Sequence, residues 1–433
     1  MKDWASLGLV VFIAAGLFAA GCSEQEKKET PGATSNPSQA NGAVPGVTDT
    51  EIVLGTHMPL SGSPAATYAG IADGMRAYFE YVNSQGGVYE RKIKLIVGDD
   101  HFSPPVSLEV VRKLVEQDGV FAIVGGLGDE THLAAMDYLE ERGVPDLFVG
   151  GGVAQFTDPV VKTRFGMVGN YETASEIGVD YLKQNFAGKT MGILYENDNA
   201  GKTGMEKTVE LLKDSDIKVV SKQGYDFEQF DLTAQMQRIK ADNPDFVNLM
   251  ANAGAAANAI KVSREVLDWD VAFIVGASAA TDLLIILAGP ENAEGTLGFA
   301  VEKQMSDTDD PGVQRVVELM EQFAPGVGAN NVTEYGVWVA ELMVQALKNA
   351  GPDLTRESVI QGAEKIRDYC CITCLGPVNL SPTDHVVQAA YWPEKVVDGK
   401  WTLLSDDAMS RESTPGKVIA CRGAGEPVYA GQE

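Results

Sequence analysis

An α/β architecture, with parallel sheets shared between two lobes, is predicted by three features of the chain. Short β-rich runs alternate with amphipathic helical stretches, which implies right-handed βαβ units on parallel sheets. The 387 residues from 47 to 433 exceed the usual size of one domain. A hydrophobic content of 45% is ordinary for globular cores.

The chain opens with an apolar run over residues 4–21 that stops at Ala19-Ala20-Gly21-Cys22. Small side chains give a peptidase access to the backbone, and the Cys22 thiol accepts a lipid. The apolar length fits a secretory h-region of about 7–15 residues. The n-region carries only Lys2, offset by Asp3. Residues 1–21 read as a signal peptide, with Cys22 as the lipidated N-terminus. The competing reading is an uncleaved anchor, which needs about 17–25 apolar residues to span a bilayer. Both readings place everything after residue 22 outside the cytoplasm, on the periplasmic face or cell surface. Residues 22–46 are rich in Ser, Pro, Gly, Asn and charge, and are expected to form a flexible tether.

Within the folded part, Ile93, Leu95 and Val97 alternate as a half-buried strand. Residues 121–124, 146–149, 192–195, 246–250 and 273–275 look like buried parallel strands. Ile71, Met75, Tyr78, Phe79 and Val82 share one helical face, and Gly86-Gly87 ends that helix. Val106, Val110, Leu114 and Val115 mark the next. In such sheets ligands bind beyond the C-terminal strand ends. The loops there are 127–131, 150–152, 196–201, 251–254 and 276–280.

Composition and motifs exclude several functions. With 34 basic and 61 acidic residues the net charge is −27, which repels nucleic acid and anionic lipid. Gly201-Lys202-Thr203 has Glu196 where a phosphate loop needs glycine, and Gly125-Gly126-Leu127-Gly128 lacks full dinucleotide spacing. His57, His101, His132 and His385 are scattered and give no zinc set. No enzyme, metal or cofactor is expected. Cys370, Cys371, Cys374 and Cys421 form an even set, which outside the cytoplasm reads as structural disulfides of undetermined pairing.

Gly46-Val47-Thr48-Asp49-Thr50-Glu51-Ile52-Val53-Leu54-Gly55, followed by Pro59-Leu60-Ser61-Gly62, resembles the opening of leucine/isoleucine/valine-type solute-binding proteins. Similar pieces recur in order: residues 82–88 before Lys94-Leu95, Asp99-Asp100, Ile123-Val124-Gly125, Gly143-Val144-Pro145, Pro244-Asp245-Phe246-Val247, Gly376-Pro377-Val378 and Asp384-His385. The resemblance covers about residues 46–395. It implies a type I periplasmic binding protein fold: two Rossmann-like lobes joined by three hinge crossings, near 168–171, 298–302 and 376–380. Lobe 1 is expected from 47–168 plus 300–378, and lobe 2 from 169–299 plus 379–433. The resemblance also implies a monomer that captures a small solute between the lobes and delivers it to the permease subunits of an ABC importer. A freestanding ligand-sensing receptor acting through a membrane partner is the alternative. A sensor would ordinarily continue into a membrane span, and no second apolar run follows before Glu433.

Candidate ligand residues follow by matching position. Tyr68 matches an aromatic cleft residue, while Leu127, Gly128 and Asp129 with Gly150, Gly151 and Gly152 match the loops that seat a ligand carboxylate. Neither Asp129 nor Gly152 supplies the family's hydroxyl. Asp129 is expected to cap the helix starting near Glu130, leaving glycine N–H groups for a ligand. In the second lobe Ala200 and Asn252 stand where the family has tyrosines. Ala277 or Ser278 stands in place of the acid that pairs with a ligand ammonium. A buried unpaired ammonium costs several kcal/mol. The expected solute is therefore amino-acid-related, amide-like or aromatic, and uncharged or weakly polar.

Overall fold

The fold follows from how the apolar runs divide between two sheets. The computed structural model describes residues 44–229, 231–405, 407–410, 418–421 and 427–429. The signal segment, Cys22 and residues 23–43 of the tether lie outside the described residues. Val44–Gly46, expected in the tether, belong instead to the folded unit. The Gly46 carbonyl accepts the Val53 N–H at 2.7 Å, and a Cβ on Gly46 would lie 2.2 Å from the Phe121 nitrogen.

The chain begins with β1 (Glu51–Met58), α1 (Ala65–Tyr68), α2 (Gly70–Ser84), β2 (Lys92–Asp99) and α3 (Pro104–Glu116). It continues through β3 (Ala122–Val124), α4 (Asp129–Glu141), β4 (Asp146–Val149) and β5 (Arg164–Val168). It then enters a second set: α5 (Tyr171–Asn185), β6 (Thr190–Glu196), α6 (Asn199–Leu212), β7 (Lys218–Tyr225) and α7 (Thr233–Ala241). That set goes on with β8 (Phe246–Met250), α8 (Ala253–Lys261), β9 (Ala272–Val275), α9 (Asp282–Ala288), α10 (Pro290–Ala293) and β10 (Leu297–Ala300). The chain returns with α11 (Pro311–Phe323), α12 (Asn331–Ala350), α13 (Arg356–Glu364) and β11 (Val386–Gln388). It finishes with β12 (Ala390–Val397), β13 (Lys400–Leu403) and the short strands β14 (Met409–Ser410), β15 (Val418–Cys421) and β16 (Pro427–Tyr429).

One sheet has the order β11-β5-β4-β3-β1-β2 and the other β13-β12-β10-β9-β8-β6-β7. All pairings in the first are parallel, as are those from β10 to β7 in the second, whereas β12 and β13 close its far edge antiparallel. The half-buried alternation of Ile93, Leu95 and Val97 suits β2, which lies at a sheet edge. The last passage between sheets falls at Ala389, between β11 and β12, later than the 376–380 expected. The reason is that 376–380 folds back onto its own lobe. Val378 exchanges both backbone hydrogen bonds with Tyr369, and Leu380 N–H reaches Ile366 O at 2.9 Å.

In the first lobe, Ile52, Leu54, Met75, Phe79, Trp338 and Met343 pack α2 and α12 onto the sheet. The two helices touch through reciprocal glycines. A Cβ on Gly74 would lie 1.9 Å from Thr333 O, and one on Gly336 2.1 Å from Ile71 O. Leu249, Ala256, Phe273 and Leu284 fill one side of the second sheet, and Leu182, Ile193 and Phe246 the other. The four cysteines pair as Cys370–Cys421 and Cys371–Cys374, with Cα–Cα distances of 5.6 and 5.0 Å. Cys421 N–H also donates to Leu375 O at 2.7 Å, so the C-terminal strands are pinned to the segment after α13. Among the described residues no helix is long and apolar enough to cross a membrane.

Candidate functional site

The loops that leave the C-terminal strand ends meet where the two sheets face each other. After β3, Gly128 occupies positive φ (99°) and is the N-cap of α4. Asp129 is the first helical residue and does not cap. Its Oδ1 accepts the Gly152 N–H at 3.1 Å, and its Oδ2 accepts the Tyr171 hydroxyl at 2.9 Å. The expected capping role is thus replaced by a bridge from α4 to the loop after β4 and to the start of α5 in the other lobe. Tyr171 N–H completes the junction by donating to Gly152 O at 2.8 Å.

The glycine loop is less available than its sequence suggests. Gly150 N–H donates to Gly126 O at 2.8 Å, Gly128 N–H to Gly150 O at 2.9 Å, and Gly152 N–H is held by Asp129. A Cβ on Gly151 would lie 2.5 Å from Asp129 Oδ1, and one on Gly152 2.5 Å from the Tyr171 ring, so glycine is required by close approach.

From the second lobe, Asp198 caps α6 by accepting the Gly201 N–H at 2.7 Å. Asn252 caps α8, its Oδ1 accepting from Ala255 N at 3.0 Å while its Nδ2 donates to Glu196 Oε2 at 3.2 Å. The amide expected to meet solute is therefore engaged at both ends. Tyr225 donates to the same Glu196 oxygen at 2.8 Å. Glu130 Oε1 accepts from Asn199 N across the lobes at 3.4 Å. Ala200 is half-buried on the first turn of α6, whereas Ser278 is exposed on the loop after β9 and takes no part in these bonds. Tyr68, half-buried on α1, stacks on Phe102 at 5.8 Å, and Phe102 meets Phe227 of the other lobe at 6.1 Å. Leu127 is buried, with its N–H on His57 O at 3.1 Å.

Burial sets the electrostatics. It pushes the Asp129 carboxyl up to about 6 against the two hydrogen bonds that favour the anion, and Glu130 and Asp198 add to the rise. Glu196 and Asp198 are both raised, first by burial; Asp198 raises Glu196 further, and Glu130 raises both. Burial also lifts the Tyr68 and Tyr171 phenols. Asp129 is 7% exposed, and its bonded partners are neutral. A carboxyl raised from 3.8 to about 6 opposes folding by about 3 kcal/mol once ionised. The sign is fixed by proton binding. Between pH 4 and 6 the folded state holds the proton and the unfolded state does not, so stability falls as pH rises. Asp129→Asn removes the charge and keeps the acceptor for the Gly152 N–H, while its amide nitrogen can only donate to the Tyr171 oxygen, reversing that bond. In urea titrations it is expected to raise stability at pH 7.5 by up to about 3 kcal/mol and to flatten the pH 4–6 slope.

A rigid support lies beneath the lobe 1 loop. Asp100 Oδ2 meets His57 Nδ1 at 2.8 Å, His57 Nε2 meets His132 Nδ1 at 2.9 Å, and His132 Nε2 meets Asp146 Oδ2 at 2.8 Å. Arg164 Nε donates to the same Asp146 oxygen at 3.2 Å. All five side chains are buried. A Cβ on Gly126 would lie 2.7 Å from both rings, which places the chain directly behind Leu127. The two histidines that look scattered in sequence are therefore neighbours, and their role is internal. His385 is also internal, its Nδ1 donating to Arg164 O at 2.7 Å and its ring stacked on Phe165 at 3.7 Å, with Glu364 Oε1 3.6 Å from its Nε2.

Residues 51–400 match the family model described as periplasmic binding protein. The chain belongs to that family. It is 23% identical over 310 residues to a Leu/Ile/Val-binding protein homolog 1 from Brucella suis, covering 71% of this chain and 81% of that protein. Its fold is that of a branched-chain amino acid ABC transporter protein from Thermus thermophilus with bound valine. That pair has a TM-score of 0.75 and 16% identity, covering 83% of this chain and 96% of that one. A solute-binding protein from R. palustris in complex with benzoate superimposes with a TM-score of 0.68 and 17% identity, covering 82% and 95%. The protein is a type I periplasmic binding protein, a binding protein and not an enzyme. Family membership places it outside the cytoplasm.

Sequence reasoning missed Tyr171, Phe102 and Phe227, and named Glu196 and Asp198 only as part of a loop. Phe102 carries one readable signal. It follows Asp99-Asp100-His101, and its left-handed backbone (φ 55°) is stabilised by its N–H on Asp100 Oδ1 at 2.8 Å.

Proposed function

We infer that this periplasmic binding protein captures a small solute between its lobes and hands it to the permease of an ABC importer, held at the membrane by a lipid on Cys22. The observation that supports this reading is the junction itself. Asp129 of one lobe hydrogen-bonds Tyr171 of the other at 2.9 Å, and the rings of Phe102 and Phe227 meet at 6.1 Å beside it. A solute seated there touches both lobes only when they are closed. Its differential affinity for the closed form then drives closure without any reaction. The permease reads the closed form, and the −27 charge keeps the receptor soluble and leaves membrane attachment to the lipid.

Tyr68, Leu127–Asp129 and Gly150–Gly152 from lobe 1, with Ala200 and Asn252 from lobe 2, outline the solute chamber, and Glu196, Asp198 and Tyr171 join them. Ser278 contributes at most through its loop. A thermal-shift screen of amino acids, amides, amines and aromatic acids tests the reading. A solute at 100 times its dissociation constant stabilises the folded form by about 2.7 kcal/mol, and that solute is expected to enter cells or vesicles only when the receptor is present. Leucine at micromolar concentration is expected to give no shift. Turnover of any compound, or uptake unaffected by loss of the receptor, contradicts the proposal.

A further inference from the structure

The charge at the lobe junction identifies the class of solute, an inference that rests on the reading above that the solute binds there. Asp129 is buried, and its two partners, the Gly152 N–H and the Tyr171 hydroxyl, bring it no countercharge. A buried carboxylate is ordinarily paired with a cation. The groups around Asp129 are Glu130 on its own helix, Asp198 ahead of α6, Tyr171 on α5 and Tyr68 on α1, all acidic or phenolic. Glu196 stands in the same field. The neighbouring ammonium is that of Lys202, and it donates to Asn197 O at 2.9 Å. A solute carboxylate entering here meets repulsion, and the Gly150 and Gly152 N–H groups that would otherwise receive it are already bonded to Gly126 O and Asp129.

A second, independent feature points the same way. Tyr68, Phe102 and Phe227 form a ladder of rings with centroid spacings of 5.8 and 6.1 Å that runs from one lobe to the other. Aromatic faces stack with flat apolar groups and attract cations through their quadrupole. Among the described residues no three His, Cys, Asp or Glu groups converge to hold a metal ion.

We propose that the cleft takes a small organic cation, a protonated or quaternary amine joined to a flat apolar group, and excludes carboxylates. The ammonium sits against Asp129 and the Glu196–Asp198 side, and the apolar part lies on the Tyr68–Phe102–Phe227 rings. The expectation of an uncharged guest rested on Ala277 and Ser278 lacking the family's acid. The acid function has moved to other loops.

Isothermal titration of the intact chain with benzylamine, phenethylamine and phenyltrimethylammonium, against benzoate, phenylacetate, benzamide and leucine, decides the matter. At least one amine is expected to bind ten times more tightly than its matched acid or amide. Asp129→Asn is isosteric, and its melting curve verifies that it folds. It is expected to lower amine affinity at least tenfold. If the ionised Asp129 is the form that binds, affinity at pH 5 is expected to be about tenfold weaker than at pH 7.5, following a carboxyl that titrates at about 6. An acid or leucine binding more tightly than every amine overturns this inference and leaves solute capture standing. Amine binding unchanged in Asp129→Asn also overturns it. Failure of every compound of either charge to bind overturns both.

Discussion

Replacing His132 with leucine is expected to lower stability by about 3–5 kcal/mol, the range found when one partner of a buried ion pair is removed. The size of the effect comes from the length of the chain that is broken. Burial holds His57 below the ordinary imidazole value, which makes it a neutral ring. It donates from Nδ1 to Asp100 and accepts at Nε2 from His132 Nδ1. The remaining link needs a further proton between His132 Nε2 and Asp146 Oδ2. These three links, with Arg164, hold two carboxylates that have no access to water. Burial raises Asp146, whereas His132 and Arg164 bring it net below the usual carboxylate range. Leucine at 132 removes two of the three links, leaving Asp146 with Arg164 alone and His57 Nε2 unpaired. Adding Asp146→Asn to the leucine variant is expected to recover nothing, because the buried Arg164 guanidinium then loses its buried countercharge. Urea titrations of the two variants measure the difference. A loss below about 1 kcal/mol for His132→Leu would mean that the buried chain contributes little.

Removing the Cys370–Cys421 bridge is the second large effect. The bond closes a loop of 51 residues, and chain entropy assigns such a loop about 4 kcal/mol at 25 °C. The bridge also secures β15, whose Cys421 N–H bonds to Leu375 O and whose neighbours pair with β16. All four cysteines are buried, so reductant is expected to act on the unfolded chain far faster than on the folded one. Cys370→Ala with Cys421→Ala is expected to lower the denaturation midpoint by the equivalent of about 4 kcal/mol, with solute affinity changed little because the bridge lies outside the junction. An unchanged midpoint would show that the C-terminal strands add no constraint.

What the sequence made legible was determined by local chemistry. Runs such as residues 147–149 and 273–275 are continuous and apolar because both faces of a central parallel strand are covered. The loops that follow them were legible for the same reason, since strand ends locate the cleft. Asp129 was misread because its partners lie 23 and 42 residues away, and N-cap preference is the only signal its neighbourhood offers. The His57–His132 contact joins residues 75 apart and leaves no pattern in the chain. The last crossing was placed too early because the short strand β11 announces itself only by pairing with β5. Asn252 was seen as free for a ligand, although its place before Ala253–Lys261 is that of a helix cap.

The account stands on a solute being gripped by both lobes at once. Small-angle scattering of the intact chain, with and without the compound that most raises its melting temperature, tests this most directly. Binding is expected to reduce the radius of gyration in the wild-type protein, and to do so at higher concentrations in Asp129→Asn. A saturated protein whose radius does not change, with the solute bound away from Asp129, Tyr171 and the Phe102–Phe227 pair, would contradict it.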